Sequence, residues 1–152
     1  MMNNRGFCAF WTAIALGGLI FAGTPSQHLH AQVASPSVER RNFRPIPLRD
    51  LQRTGSLVNR DPRLLIYRLF ASMDEFPQSE TLQIDYQGGG SKMTAIAIFT
   101  KSGLPDDSVA GLRYYLELRR QSNGQWQVVW AGVQSRCQPN RGHQTWSSQL
   151  CV

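Results

Sequence analysis

Histidine and cysteine are scarce in this chain of 152 residues, which contains three of each. Cys8 lies within an apolar N-terminal segment and His28 and His30 follow it, so His143 is the one histidine of the remaining chain. Nucleophilic catalysis by Ser or Cys usually needs a nearby histidine base, and a zinc site needs several Cys or His ligands. We therefore expect no catalytic group, no metal and no cofactor.

The N-terminal apolar run is too short for a typical membrane-spanning helix. Residues 7–22 form a run of 16 residues, whereas a spanning helix needs about 20. Arg5 precedes this run, and a polar stretch then leads to small residues at Ala31 and Ala34, which is typical of a secretory signal peptide. An uncleaved anchor is the alternative. We expect residues 1–34 to be removed on export, so that only this segment meets the membrane.

The remaining chain contains no motif that names a reaction. The three glycines at 88–90 lack the Lys-Ser/Thr of a phosphate-binding loop and lie between predicted strands. Asp106 and Asp107 could be an acid/base pair, but adjacent aspartates after Leu-Pro are typical of a turn. His143 fits a loop residue better than a ligand. The sequence thus disfavours an enzyme.

Two cysteines remain after removal of the signal segment, Cys137 and Cys151. An exported chain meets an oxidising compartment, where such a pair forms a disulfide. Two free thiols or a metal-binding pair are the alternatives. We expect the bond to hold a tail rich in Gly, Ser, Gln and Pro.

The positive charge is concentrated in one stretch. The chain carries a formal net charge of +6, and residues 38–68 contain three acidic residues against eight arginines: Arg40, Arg41, Arg44, Arg49, Arg53, Arg60, Arg63 and Arg68. This excess predicts an anionic partner. Export excludes nucleic acid and leaves acidic polysaccharide, anionic lipid headgroups or an acidic protein. A solvated linker is the competing interpretation.

The spacing of apolar residues predicts one helix and four strands. Asp61-Pro62 is a helix start signal, and the stripe that follows predicts a helix over residues 62–73. Its members are Leu65, Ile66, Leu69, Phe70 and Met73. Residues 81–86 and 93–100 alternate with the period of a strand. Pro36, Pro45 and Pro47 favour an extended leader over residues 35–60, with order beginning near Leu48.

Asn123-Gly124 between two aromatic-rich runs predicts a β-hairpin with a type I′ turn. The register that follows pairs Leu118 with Val129 and places Leu116, Leu118 and Val129 under the helix. The opposite face is the candidate binding surface because it combines aromatic rings with both charge signs. Its members are Tyr115, Glu117, Arg119, Trp126 and Trp130. Alternatively, Leu48, Leu57 and Val58 of the leader cover the tryptophans.

These elements predict an α+β fold, in which one amphipathic helix packs on a four-stranded antiparallel meander sheet. The domain is expected at residues 61–152, with a C-terminal disulfide loop. The topology resembles the helix-on-sheet arrangement of cystatin-like and NTF2-like domains. The tail, WQVVWAGVQSRC followed by WSSQLC, resembles that of small exported bacterial proteins of unknown function, a resemblance that implies no activity.

The expected function is an exported noncatalytic binding or accessory module of the cell envelope, with an anionic component or a protein as partner. A small NTF2-like enzyme is the alternative, with Tyr67, Tyr86, Tyr114 and Asp85 lining a pocket between helix and sheet. A cystatin-like inhibitor is a third interpretation, since such folds can present hairpin loops to a protease.

Overall fold

A computed structural model describes residues 40–71 and 76–152 as an α+β fold with a six-stranded antiparallel sheet and two helices. The predicted signal segment lies outside the described residues. No helix in the described ranges is both long and apolar enough to cross a membrane. Besides 3-10 turns at Arg40–Asn42 and Gly90–Lys92, the elements are β1 (Arg44–Pro45), α1 (Leu48–Thr54), β2 (Val58–Asn59), α2 (Pro62–Phe70), β3 (Ser79–Gln87), β4 (Thr94–Ser102), β5 (Val109–Arg120) and β6 (Trp126–Cys137).

The four long strands form the predicted meander, in which each strand pairs with its neighbour in the chain. We call the face covered by the helices the inner face and the opposite one the outer face. On the inner face lie the core residues Ala95, Ala97, Phe99, Leu116, Leu118, Val128 and Ala131. The outer face carries the intervening residues of each strand.

Helix α2 begins as the sequence predicts. The Asp61 Oδ1 atom accepts hydrogen bonds from the backbone N–H of Arg63 at 2.8 Å and of Leu64 at 3.4 Å, and Pro62 occupies the first helical position. The helix ends at Phe70, and Met73 lies outside the described residues. Four residues of the predicted stripe are buried against the sheet: Leu65, Ile66, Leu69 and Phe70.

The leader differs most from the sequence expectation. Residues 40–59 contribute a 3-10 turn, two short strands and a second helix, so regular structure is present before Leu48. Strands β1 and β2 pair with β6 along the edge that does not pair with β5. The Ile46 N–H also donates to the Ala131 carbonyl of β6 at 2.9 Å. Leu51 and Leu57 are buried in the same core as α2. Apolar side chains between the arginines bury enough surface to order this segment.

The hairpin forms where predicted, but its turn and inner register differ. Gly124 has a φ of 80°, whereas Asn123 is not among the positive-φ residues of the described chain. The Gly124 N–H donates to the Gln121 carbonyl at 2.9 Å, which gives a three-residue loop instead of a type I′ turn. Val129 then forms a bulge, and Leu118 pairs with Val128 instead.

The predicted register placed Val129 under the helix, and this prediction is wrong. Val128 occupies that place and is almost fully buried, while Val129 lines a hollow on the outer face. Beyond the bulge, Leu116 pairs with Ala131 and Glu117 with Trp130, as predicted. The extra loop residue and the bulge each shift the register by one position, in opposite directions.

Candidate functional site

The predicted binding face is divided by the bulge. Tyr115, Glu117 and Arg119 alternate along β5 on the outer face, and Trp130 lies opposite Glu117 on β6. Trp126 does not join them, so its predicted placement is wrong. It is 6% exposed, belongs to the inner core with Leu57 of the leader, and packs its ring 5.5 Å from that of Tyr86.

Trp130 lies in a small cluster formed by β5 and the leader. The Arg40 guanidinium carbon lies 4.5 Å from the Trp130 ring centroid, and Tyr115 packs edge-on at 5.7 Å. The Phe43 ring lies 5.2 Å from that of Tyr115. A Cβ at Gly132 would overlap both the indole of Trp130 and the Phe43 side chain. Only glycine therefore lets these rings approach the strand.

Electrostatic contacts hold the same cluster. Arg40 Nη1 lies 3.4 Å from Glu117 Oε2, and the two side chains are 53% and 29% exposed. An ion pair this exposed contributes only about 0–1 kcal/mol, so it orients the guanidinium more than it stabilises the fold. Burial, and to a smaller extent the negative charge of Glu117, raises the pKa of the Tyr115 hydroxyl. The positive charge of Arg40 offsets part of this increase in pKa. Tyr115 stays neutral at physiological pH and acts as a packing residue.

Two surface depressions flank this cluster. An open cleft of about 640 Å³ is lined by Arg40, Arg41, Phe43, Pro45 and Trp130. We call it the Arg40–Trp130 cleft. A smaller hollow of about 230 Å³ lies next to it on the outer face and includes Tyr115, Glu117 and Arg119. The leader thus supplies four of the five residues that line the larger cleft.

The sequence indicates an arginine-rich leader, but it does not indicate that Arg40 of this leader contacts Trp130. Arg40, Arg41, Phe43 and Pro45 were not assigned to the binding face, because pairing between the leader and β6 is not visible in local patterning. The signal that could have found them is the segment RRNFRP, in which an aromatic residue lies among arginines. Such a composition is typical of a contact surface.

The C-terminal loop is closed as predicted. Cys137 and Cys151 lie at disulfide distance, with Cα atoms 5.4 Å apart. His143 lies inside the loop, where Nδ1 is 2.9 Å from the Thr145 carbonyl and Nε2 is 3.2 Å from the Gln149 carbonyl. Its Nε2 is also 3.5 Å from Cys137 Sγ. Bonded cysteines offer no thiolate to a metal, so His143 acts here as a loop-ordering residue.

Of the groups considered for an enzyme, Asp85 lies apart from the tyrosines. Tyr67 and Tyr86 are exposed, while Tyr114 packs against Phe70 at 4.2 Å between ring centroids. Asp85 pairs with Ile96 and therefore lies on the outer face, opposite the three tyrosines. Asp106 accepts hydrogen bonds from the N–H groups of Ser108 and Val109 at 2.8 and 2.6 Å, which is turn geometry.

Comparison of the chain with protein-family models, with curated proteins and with solved structures found no match. The similarity to cystatin-like and NTF2-like domains therefore stays a prediction from topology.

Proposed function

We propose that this chain is an exported, noncatalytic binding module of the cell envelope and that its binding surface is the Arg40–Trp130 cleft. The proposal rests mainly on one observation, that Arg40, Arg41 and Trp130 line the same open cleft. No acidic side chain is among its lining residues. The leader supplies the charge, and β6 supplies the indole.

The ligand that fits this cleft best is an acidic polysaccharide. A guanidinium presents a planar set of donors that matches a carboxylate. Contact with Trp130 and Glu117 holds Arg40 in one orientation, which lowers the entropic cost of binding. The exposed ring of Pro45 and the partly exposed indole of Trp130 offer apolar surface to a sugar ring. An open cleft suits a polymer that enters and leaves along its length.

Two observations support export. Residues 1–34 have the composition of a signal peptide, and the cysteine pair at disulfide distance fits an oxidising compartment. Intact-mass measurement of the exported protein should give a chain that begins after Ala31 or Ala34. A membrane-retained species containing residues 7–22 would contradict this part of the proposal.

Binding to polygalacturonate tests the proposed ligand, with neutral dextran as the control polymer. Arg40→Gln should weaken binding roughly tenfold through loss of a charge-assisted contact. Arg63→Gln is the matched control, because it removes the same charge from an exposed position on α2, across the sheet from the cleft. Added salt should weaken binding of the parent protein.

Three results would overturn the proposed ligand. The first is equal binding to dextran, and the second is no binding to polygalacturonate. The third is an equal loss in Arg40→Gln and Arg63→Gln, which would indicate nonspecific attraction by net charge.

A further inference from the structure

A second arginine–tryptophan cluster lies on the outer face, at the end of the sheet near the disulfide loop. Arg113 of β5 pairs with Gln134 of β6, so Arg136 lies diagonally opposite on the same face. The guanidinium carbons of Arg113 and Arg136 lie 4.3 Å and 5.2 Å from the ring centroid of Trp146. Two cations thus share one indole.

The tail holds Trp146 firmly in this position. Ser147 exchanges two backbone hydrogen bonds with Ser135 of β6, at 2.9 and 3.0 Å. A Cβ at Gly111 would lie 3.0 Å from the indole, so the ring approaches β5 where a side chain is missing. The bond between Cys137 and Cys151 closes the loop that contains Trp146.

The charges of this cluster are not balanced by the described part of the chain. Within residues 40–71 and 76–152, neither Arg113 nor Arg136 forms an ion pair with a carboxylate. Arg113 Nε is buried and has no hydrogen-bond acceptor there. Burial and then the charge of Arg136 lower the pKa of Arg113. The indole attracts both cations but offers no oxygen to their N–H groups.

We propose that Arg113, Arg136 and Trp146 form a binding site for a small oxyanion, such as sulfate, phosphate or a carboxylate. An oxyanion would accept hydrogen bonds from both guanidinium groups and offset their repulsion. Chloride lacks the paired oxygens that a guanidinium recognises. The site shares no residue with the Arg40–Trp130 cleft and goes beyond the function proposed for that cleft.

Titration of the folded protein with sodium sulfate tests the site, with the Trp146 indole N–H signal followed by nuclear magnetic resonance. Sodium chloride at matched ionic strength is the control, and sodium acetate is a second arm that presents a single carboxylate. A saturable shift with sulfate or acetate, absent with chloride, is expected. An identical response to chloride, or no saturable response to either oxyanion, would overturn the proposal.

Arg136→Gln should weaken sulfate binding roughly tenfold, because one of the two guanidinium groups that donate to the oxyanion is lost. Arg119→Gln is the matched control, because Arg119 is an exposed arginine on the same face of β5. Arg136→Lys keeps the charge and should restore only part of the affinity. Unchanged sulfate affinity in folded Arg136→Gln protein would overturn the site.

Discussion

Trp126 and Trp130 lie four residues apart on β6 and face opposite sides of the sheet. In a regular strand, residues at this spacing share a face. The bulge at Val129 adds one residue between them and turns Trp126 toward the helices. One tryptophan therefore belongs to the core, and the other lies on the outer face beside Arg40.

The two tryptophans should respond differently to replacement by Ala. Trp126→Ala should lower the free energy of unfolding by about 3–5 kcal/mol, because it empties a buried site. Leu118→Ala should cost about 2–4 kcal/mol for the same reason. Trp130→Ala should cost clearly less, since its indole is partly exposed. Urea unfolding of the three variants checks this order. A Trp130→Ala variant as unstable as Leu118→Ala would make Trp130 a core residue.

Loss of the disulfide should destabilise the fold. Replacing Cys137 or Cys151 by Ser frees a loop whose ends are 14 residues apart in sequence, which should cost roughly 2–4 kcal/mol. Peptide mapping without reductant should recover both cysteines in one crosslinked species. Rapid alkylation of both thiols in the folded, exported protein would contradict the assignment.

Asp106 should make the stability depend on pH in the acidic range. Hydrogen bonds from the N–H groups of Val109 and Ser108 lower the pKa of Asp106 in the folded state. Its stabilising effect is therefore present above the unfolded pKa, about 3.9, and is lost as pH falls through the lower folded value. Because Asp106 is exposed and screened by solvent, Asp106→Ala should cost less than about 1 kcal/mol at neutral pH, and the difference from the parent protein should shrink in acid.

Asp107→Ala is the matched control for this effect, because the neighbouring aspartate is likewise exposed but accepts no hydrogen bond within the described residues. Urea unfolding at neutral and acidic pH measures both variants. Equal losses in the two variants, or a loss in Asp106→Ala that is the same at every pH, would refute the role given to Asp106.

The hairpin loop can be tested at its glycine. Gly124 adopts a φ of 80°, so Gly124→Ala should cost roughly 1 kcal/mol through strain in the left-handed region. Asn123→Asp should cost less than Gly124→Ala, because Asp keeps the side-chain oxygen that accepts from the Gln125 N–H and loses only the exposed hydrogen bond from Asn123 Nδ2 to Gln125 Oε1. Urea unfolding measures both. A Gly124→Ala variant as stable as the parent would contradict the left-handed conformation of Gly124.

The order of helix α2 and the four long strands was predictable, because each of these elements carries a strong local signal. Asp61-Pro62 marks the helix start and Asn123-Gly124 marks the hairpin. The predicted pairing was also correct in the part of the hairpin far from the turn, from the pair Glu117–Trp130 onward. Two register shifts of one residue, in opposite directions, cancel between Gly124 and Glu117. Neither shift could be predicted, because the same dipeptide fits both loop types and the apolar pair Val128 and Val129 matches either register.

The candidate site was less predictable than the sheet. Arg40 and Phe43 reach Trp130 only because β1 pairs with β6, across about ninety residues of sequence. A two-residue strand such as Arg44–Pro45 carries no periodicity that could identify it. The sequence therefore identified Trp130 and the arginines separately, and the pairing of β1 with β6 brings them together.

The dissociation constant of Trp130→Ala for polygalacturonate tests the proposed binding surface most directly. We predict that the folded variant binds roughly tenfold or more weakly than the parent, because a contact aromatic contributes strongly to affinity and Arg40 loses the ring that orients it. An unchanged dissociation constant in folded Trp130→Ala protein would contradict the assignment of the Arg40–Trp130 cleft as the binding surface.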